Sequence, residues 1–373
     1  MFVKLLKKSQ AKGTRTFASA THILNPGKPR DKWVTICPGE GIGEQLIESV
    51  LEIFSYMRVP IKHKVVEYSS LKKNSENIDL KQNNWLLLGP VSHKSNEERS
   101  EGVCSSQILN ELGVFASISN LVSISGAQQS YNDVNLLLIQ QNNPKFQVNM
   151  EKTTERNEFD SWITHECDLN RFARYVFANA VMERRSKITF MHQNTNEESD
   201  RCLTKFMRKF ANENSNIMYD EIHSELGSSK IVANPELFDV IVTSNNNDDT
   251  ISTSVMNLVG GEGLVPTVHI GDKFTIFQQG GNDPQYEKVD MKSANPTGIL
   301  LSASMMLRQT NLPIFADLLE ESVYKTYLNS EVRTPDIGGN YSTKEFSKKV
   351  MENMFRQTSV HNIIPKTKSS FEM

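Results

Sequence analysis

The sequence predicts an α/β fold built on a largely parallel sheet. The chain has 373 residues, well above the ~150 of a typical domain, which allows two domains or one large α/β unit. Short β-branched runs alternate with helical patterns along most of the chain, as expected for βαβ units. The first unit is a strand at Trp33 to Pro38, a turn with Gly39, Gly41 and Gly43, and a helix with one apolar face.

The remaining elements follow in chain order. Strands are predicted at Val65 to Tyr68, Trp85 to Leu88, Phe115 to Ile118, Val134 to Ile139, Ile188 to Met191, Val240 to Val242 and Phe274 to Phe277. Helices are predicted at Arg171 to Glu183, Arg201 to Phe210, Thr297 onward and Lys344 to Phe355. Polar stretches without a helical period predict loops at Gln140 to Trp162, Asn194 to Ser199 and Ser244 to Asp249.

The composition excludes several classes of protein. Lys and Arg number 41 against 44 Asp and Glu, the net charge is −3, and 38% of residues are hydrophobic, an ordinary globular balance. Disorder and a basic nucleic-acid-binding surface are therefore not expected. The longest apolar runs are strand-sized, so we expect no membrane span. The four cysteines form no C-x-x-C pair, which argues against a zinc cage or disulfide framework and indicates a reducing compartment.

The first thirty residues differ from the rest. Five cations, Lys4, Lys7, Lys8, Lys12 and Arg15, precede the first acid at residue 31, with Ser and Thr between them and an apolar helical face near the start. This pattern is typical of a mitochondrial transit peptide, which we favour over a disordered basic tail. Cleavage near residue 17 or 18 would lower the 41 cations to 36 against 44 acids, a net charge of −8.

Local motifs by themselves indicate no active site. The glycine turn has Glu44 where a dinucleotide fingerprint needs its last glycine, so we interpret it as a structural turn between strand and helix. Asp248 and Asp249 with Glu225 could hold a hard cation, although acids in Asn-rich loops are more often solvated. No Ser/His/Asp or Cys/His set is evident.

Six collinear blocks nevertheless resemble one family. They are Thr35 to Gly43, Asp133 to Leu136, Pro235 to Val240, Gly260 to Gly263, Ala294 to Arg308 and Val332 to Gly339. In this order they resemble the β-decarboxylating dehydrogenases, and within them the subunits of mitochondrial NAD-dependent isocitrate dehydrogenase. The final blocks are most similar to the non-catalytic β-type subunit. The resemblance extends from residue 32 to the last helix.

The resemblance implies an isocitrate/isopropylmalate dehydrogenase-like fold with a large discontinuous domain and a small domain. We assign residues 1–29 to the transit peptide and linker, 30–115 with 260–365 to the large domain, 116–259 to the small domain, and 366–373 to a tail. A β clasp that joins two subunits is expected at about 140–165.

The family's catalytic side chains are replaced here. Where the family has three arginines for the isocitrate carboxylates, the matched positions are Leu109, Ser119 and Gln140. Neutral side chains hold a tricarboxylate less strongly than bidentate Arg. The proton-handling Tyr and Lys, which the non-catalytic partner lends across the interface, become Gln147 and Gln193. No Arg lies between Arg99 and Arg156 to fill the arginine positions.

The metal and cofactor positions are altered as well. The family binds Mg²⁺ or Mn²⁺ through three Asp, and the matches here are Glu225, Asp249 and Thr253. The segment beside the adenosine of NAD becomes Gly280 to Gln285, although Asn295 is retained. The changes argue against NAD binding by this chain and leave at most vestigial metal and cofactor sites.

The resemblance leads to three hypotheses. We favour a non-catalytic, regulatory or structural subunit of the mitochondrial matrix isocitrate dehydrogenase, paired with a catalytic subunit or with a second copy of itself. The alternative is a stand-alone matrix pseudoenzyme, and an active dehydrogenase of altered substrate ranks last. A partner helix could pack on Asn179 to Met182 and Leu203 to Phe210, but the apolar pattern of these segments favours ordinary core over an interface.

Overall fold

The computed structural model describes residues 32–68, 84–91, 109, 112–142, 155–192, 198–244, 248–280 and 293–361. Within these ranges there are ten strands and eight α-helices. The strands are β1 Trp33–Cys37, β2 Lys62–Val65, β3 Trp85–Leu88, β4 Val114–Val122, β5 Asn135–Gln141, β6 Lys187–His192, β7 Met218–His223, β8 Val240–Thr243, β9 Pro266–Gly271 and β10 Thr275–Gln279. The helices are α1 Gly43–Met57, α2 Glu155–Met182, α3 Glu198–Glu213, α4 Ser224–Ala233, α5 Asp248–Leu258, α6 Thr297–Gln309, α7 Pro313–Asn329 and α8 Thr343–His361.

All ten strands form one mixed sheet in the order β2-β1-β3-β10-β9-β4-β5-β8-β6-β7. The two wings are parallel, as predicted, but the three pairings around β9 and β4 are antiparallel. Six of the nine pairings are parallel, so the prediction of a largely parallel sheet is confirmed, but it did not include the antiparallel centre. For β9 and β10 the reason is local, since only residues 272–274 join them, and so short a connection allows only an antiparallel pair.

The two faces of this sheet are covered differently. The back face carries one continuous apolar core that includes Ile36, Ile118, Ile139 and Phe190, packed under α1, α2, α3 and α6. The front face carries two smaller apolar clusters near its ends. One surrounds Cys37, Leu88 and Ile276, and the other surrounds Leu138, Ile241 and Met256 beneath α4 and α5. The middle of the front face, between the clusters, is left for polar side chains.

Most predicted elements are confirmed, and the differences have physical reasons. The second strand is β2, which ends where the predicted strand at Val65 to Tyr68 begins. The predicted loops are too long, because α2 begins at Glu155, α3 at Glu198 and α5 at Asp248. Five elements of the described ranges were not predicted, namely β7, β9, α4, α5 and α7.

Helix α7 shows why a helix can lack an apolar stripe. It packs between α6 and α8, so its buried side includes Ser322 and Thr326 as well as Leu319 and Val323. The Ser322 hydroxyl donates to the Leu318 carbonyl at 2.7 Å, and the Thr326 hydroxyl donates to the Ser322 carbonyl at 2.8 Å. Buried hydroxyls that bond to their own helix cost little, but they hide the hydrophobic period.

Several sequence predictions concern residues outside the described ranges. The transit peptide and linker, the tail, and residues 143–154 of the expected clasp belong to this group, and the domain division remains a prediction. Cys37, Cys167 and Cys202 are free thiols, in agreement with the absence of a disulfide framework among the described cysteines. No helix of the described ranges has the length and apolar character that a membrane crossing requires.

Candidate functional site

A row of polar side chains occupies the centre of the front face. We call it the polar strip, and it comprises Ser117 and Ser119 of β4, Gln140 of β5, Thr267 and His269 of β9 and Gln278 of β10. The register explains the row, because β4 pairs with β9 so that Ser117 lies opposite His269 and Ser119 opposite Thr267. Paired residues of antiparallel strands point to the same face. The strip therefore lies between the two front clusters.

The strip residues bond to one another across the sheet. Ser117 Oγ and His269 Nδ1 are 2.7 Å apart, and His269 Nε2 lies 3.2 Å from Gln278 Oε1. Gln278 Nε2 then donates to the Gly89 carbonyl at 3.3 Å, and Asn142 Nδ2 donates to Ser117 Oγ. All four hydrogen bonds can form together if His269 carries its proton on Nε2. Each group then donates to the next one, in the order Asn142, Ser117, His269, Gln278 and the Gly89 carbonyl. Buried polar groups that are hydrogen-bonded to one another in this way stabilise the pairing of the strands and need no ligand as a partner.

The Ser117–His269 contact resembles a nucleophile and its base, but its surroundings do not fit that role. Both residues are 5% exposed, so a substrate carbonyl could not reach the hydroxyl. The third group is the neutral amide of Gln278, whereas a catalytic triad needs a carboxylate to stabilise the imidazolium. Ser117 Oγ also accepts a hydrogen bond from Asn142. We conclude that this pair is structural.

The structure brings together two of the three arginine-matched positions. Ser119 is fully buried on the strip, where its Oγ lies 2.8 Å from Thr267 Oγ1. Gln140 lies on the same face, opposite Ser117 and beside Thr243 of β8. Leu109 instead packs against the front cluster around Cys37. Gln147 and Gln193 lie outside the described ranges.

The carboxylates proposed for a metal do not form a site in the described part of the chain. Glu225 is exposed in the first turn of α4, and Thr253 is exposed on α5. Asp249 lies in the first turn of α5, and its side chain is outside the description. Among the residues that the structure describes, no group of three or more His, Cys, Asp or Glu is placed to hold a metal ion. The described donors thus do not fit the family's Mg²⁺ or Mn²⁺.

Asn295, predicted to remain from the family's cofactor site, has its side chain engaged within the protein. Its Oδ1 accepts the Thr297 backbone N–H at 3.0 Å, and its Nδ2 donates to Asp336 Oδ2 at 2.9 Å. The Tyr327 hydroxyl lies 2.6 Å from Thr297 Oγ1, and burial raises the pKa of that tyrosine. Asn295 therefore fixes the start of α6 to the turn at Pro335–Ile337. Both its amide oxygen and its amide nitrogen are hydrogen-bonded within the protein.

The glycine turn after β1 serves close packing. Gly39 has φ +77°, and a Cβ there would lie 2.3 Å from the Pro90 carbonyl oxygen. A Cβ on Gly43 would lie 2.1 Å from the Pro38 carbonyl oxygen. The turn thus brings the backbone after β1 against the end of β3, which agrees with the structural interpretation of this motif.

Sequence reasoning missed Thr267 and His269 because β9 was not predicted. It missed Gln278 because the predicted strand ended at Phe277, one residue earlier. A signal was present, since Pro266–Gly271 alternates polar Thr267 and His269 with apolar Val268 and Ile270. Such a period-two pattern is expected for a strand with one polar face and one apolar face.

Comparison with known proteins is consistent with this architecture. The isocitrate/isopropylmalate dehydrogenase family profile matches residues 33–350. The chain belongs to this family. The resemblance drawn from the motifs is therefore confirmed.

Two of the similar proteins are named as mitochondrial subunits. Regulatory subunit 3 of isocitrate dehydrogenase [NAD] from Arabidopsis thaliana is 31% identical over 356 residues, covering 92% of this chain and 95% of the relative. The β subunit from Macaca fascicularis is 27% identical over 331 residues, covering 86% of each. Both names confirm the mitochondrial location and the similarity to regulatory or β-type subunits.

The solved structure of isocitrate dehydrogenase from Methylococcus capsulatus has a TM-score of 0.73 with this chain. The two are 22% identical, and the match covers 87% of this chain and 99% of the other. At this level of identity the likeness concerns the fold alone, and it confirms the isocitrate/isopropylmalate dehydrogenase-like fold.

Proposed function

We propose that this chain is a non-catalytic subunit of mitochondrial NAD-dependent isocitrate dehydrogenase, which binds a catalytic subunit and stabilises or regulates it. The observation that carries the proposal is the polar strip. It consists of hydroxyls, amides and one imidazole, without Arg or Lys, and most of its groups are paired with one another: Ser119 with Thr267, and Ser117 with His269. Arg fits carboxylates by bidentate, charge-assisted hydrogen bonds, and hydroxyls and amides do not replace that attraction.

The proposal extends to the cofactor and the metal. Asn295 is bonded at both ends of its amide, and the described carboxylates do not converge on one point. We therefore propose that this chain binds neither NAD nor the family's divalent metal with useful affinity, and that turnover belongs to its partner.

The partner surface is proposed on the outer side of α4 and the turn after it. Leu226, Val232 and Leu237 are 52%, 49% and 52% exposed there, on a small-domain helix that packs against α5. Exposed apolar groups clustered in one region are typical of protein interfaces. The other possible surface, at Asn179 to Met182 and Leu203 to Phe210, belongs mostly to the core, because Ala180, Leu203 and Met207 are fully buried.

The test compares the chain alone with the chain co-expressed with the catalytic subunit of its own organism. Mass and NAD reduction with isocitrate and Mn²⁺ are measured for both samples. Co-purification without turnover by the isolated chain is the expected result. Turnover by the isolated chain would overturn the proposal. An inactive chain that does not bind the catalytic subunit would instead support the stand-alone pseudoenzyme.

The partner surface has a matched test of its own. The double variant L226S/V232S should lose co-purification with the catalytic subunit, because it removes apolar area from the proposed interface. The control is Ile314→Ser on α7, which removes an equally exposed apolar side chain, 63% accessible, on a different element. Loss of pairing in the control as well, or retention in the double variant, would refute this location of the interface.

A further inference from the structure

Two histidines lie side by side at the carboxyl ends of neighbouring parallel strands. His192 ends β6 and His223 ends β7, and the register pairs them directly. Their ring centroids are 5.9 Å apart, with ring planes at 85°. His192 follows Phe190 on the back face, because Phe190 belongs to the back core while Met191 belongs to a front cluster. The pair is thus on the opposite face from the polar strip.

One nitrogen of this pair is buried without a partner. Within the ranges that the structure describes, His192 Nδ1 is buried and has no hydrogen-bond partner. His223 is exposed at the end of β7, and its side chain makes no capping hydrogen bond to α4, so its ring is accessible to an ion from solvent. A buried nitrogen without a partner is unfavourable, and in native structures it often indicates a bound water or ion.

The position in the sheet is one where ligands bind. The chain moves outward from β6 to β7 and then returns to the other side of β6 through β8, as the order β5-β8-β6-β7 shows. Helix α3 covers the back face and α4 the front face. In doubly wound sheets, ligands bind outside the carboxyl ends of the strands at such a reversal.

From this geometry we infer that His192 and His223 together bind one divalent transition-metal ion of the Zn²⁺, Ni²⁺ or Cu²⁺ class. Imidazole nitrogen suits these ions, whereas Mg²⁺ and Ca²⁺ prefer oxygen. With metal–nitrogen bonds of about 2.0–2.1 Å, two imidazoles on one ion place their centroids at most about 6.4 Å apart. The observed 5.9 Å lies within that reach. The ion differs in donor type from the carboxylate-bound metal of the family and is independent of the proposed function.

The test titrates the metal-free, EDTA-treated full chain with Zn²⁺ in a calorimeter. We expect one tight equivalent, and we expect each of H192Q and H223Q to weaken it by at least about tenfold, since a ligand is lost. The control is H63Q, which removes an exposed histidine on β2 and should leave binding unchanged. Wild-type affinity in either site variant, or an equal loss in the control, would overturn the inference.

A second measurement needs no variant and so does not depend on variant folding. One equivalent of Cu²⁺ added to the wild-type chain should give an electron paramagnetic resonance spectrum with superhyperfine splitting from two nitrogen donors. A spectrum with oxygen donors alone, or with one nitrogen, would overturn the two-histidine site.

Discussion

Ser119 Oγ and Thr267 Oγ1 lie 2.8 Å apart at the centre of the sheet, and both side chains are shielded from solvent. The two residues are 148 positions apart in the chain. Ser119 is the position at which the family resemblance places a substrate-binding arginine. A mutually satisfied hydroxyl pair at this point gives the fold a stabilising contact that requires no ligand.

A double-mutant cycle on this pair should show strong coupling. Ser119→Ala or Thr267→Val alone leaves one buried hydroxyl without a partner and should cost about 1–3 kcal/mol of unfolding free energy. The double variant S119A/T267V removes both hydroxyls and should cost clearly less than the sum. Urea unfolding of the four proteins measures the cycle. Strictly additive costs would contradict the contact.

Replacing His269 with Phe should interrupt the bonds across the polar strip. Ser117 and Gln278 would both lose a partner in the buried centre of the sheet, so we expect a loss of about 2–4 kcal/mol. The matched control is His63→Phe on the exposed edge strand β2, for which a change within about 0.5 kcal/mol is expected. Thermal and urea unfolding measure both. Equal effects in the two variants would show that the strip contributes no special stability.

Asp239 should contribute stability that depends on pH. Its carboxylate bonds to Arg185 Nη1 at 2.8 Å and to the Ser186 backbone N–H at 2.6 Å. Burial alone would raise the pKa of Asp239, but these bonds and the charge of Arg185 bring it below its ordinary value. A lowered folded-state pKa means that the stabilisation is complete above the unfolded pKa, near 3.9, and is lost as the pH falls through the folded value.

The variant Asp239→Asn tests this dependence. It leaves Arg185, with a side chain only 4% exposed, without its counter-charge, which should cost about 3–5 kcal/mol at pH 7. The difference from wild type should shrink as the pH is lowered below about 4. Asp133→Asn, an exposed position, is the control and should show no such convergence. A gap between wild type and D239N that does not change with pH would contradict the assignment.

Two glycines of positive φ allow backbone strain to be separated from steric overlap. Gly113 has φ +67°, and no atom of the described residues lies within 4 Å of a Cβ built there, whereas Gly39 has φ +77° and its Cβ would overlap the Pro90 carbonyl. Gly113→Ala should therefore cost only the left-handed backbone penalty of about 1–2 kcal/mol. Gly39→Ala should cost at least about 2 kcal/mol more. Similar unfolding free energies for the two variants would contradict the packing role of the turn.

Much of the fold could be predicted from local patterns. The turn at Gly39 to Gly43, the apolar face of α1 and the strands of the parallel wings other than β7 are each determined by neighbouring residues, so a short window is sufficient. Some of the elements that were not predicted have no short stretch of sequence with a diagnostic hydrophobic pattern. Strand β7, at the edge of the sheet, has no buried alternation, and α7 is packed on several sides.

The candidate site could be predicted only in part. The loss of arginine between residues 99 and 156 is a property of the sequence itself, and it already indicates an altered substrate pocket. The sequence did not reveal what occupies that region. The pairing of Ser117 with His269 spans 152 positions and depends on the antiparallel register of β4 with β9.

The sequence by itself therefore determined the family, and it led to two predictions: a mitochondrial leader, and neutral residues at the positions matched to the family's substrate-binding arginines. Only the tertiary structure decided that Ser119 and Thr267 satisfy one another, that Asn295 is held within the fold, and that His192 faces His223. The physical reason is that hydrogen bonds between distant segments depend on strand order and register. The packing of the whole sheet sets the strand order and register, so local periodicity cannot predict them.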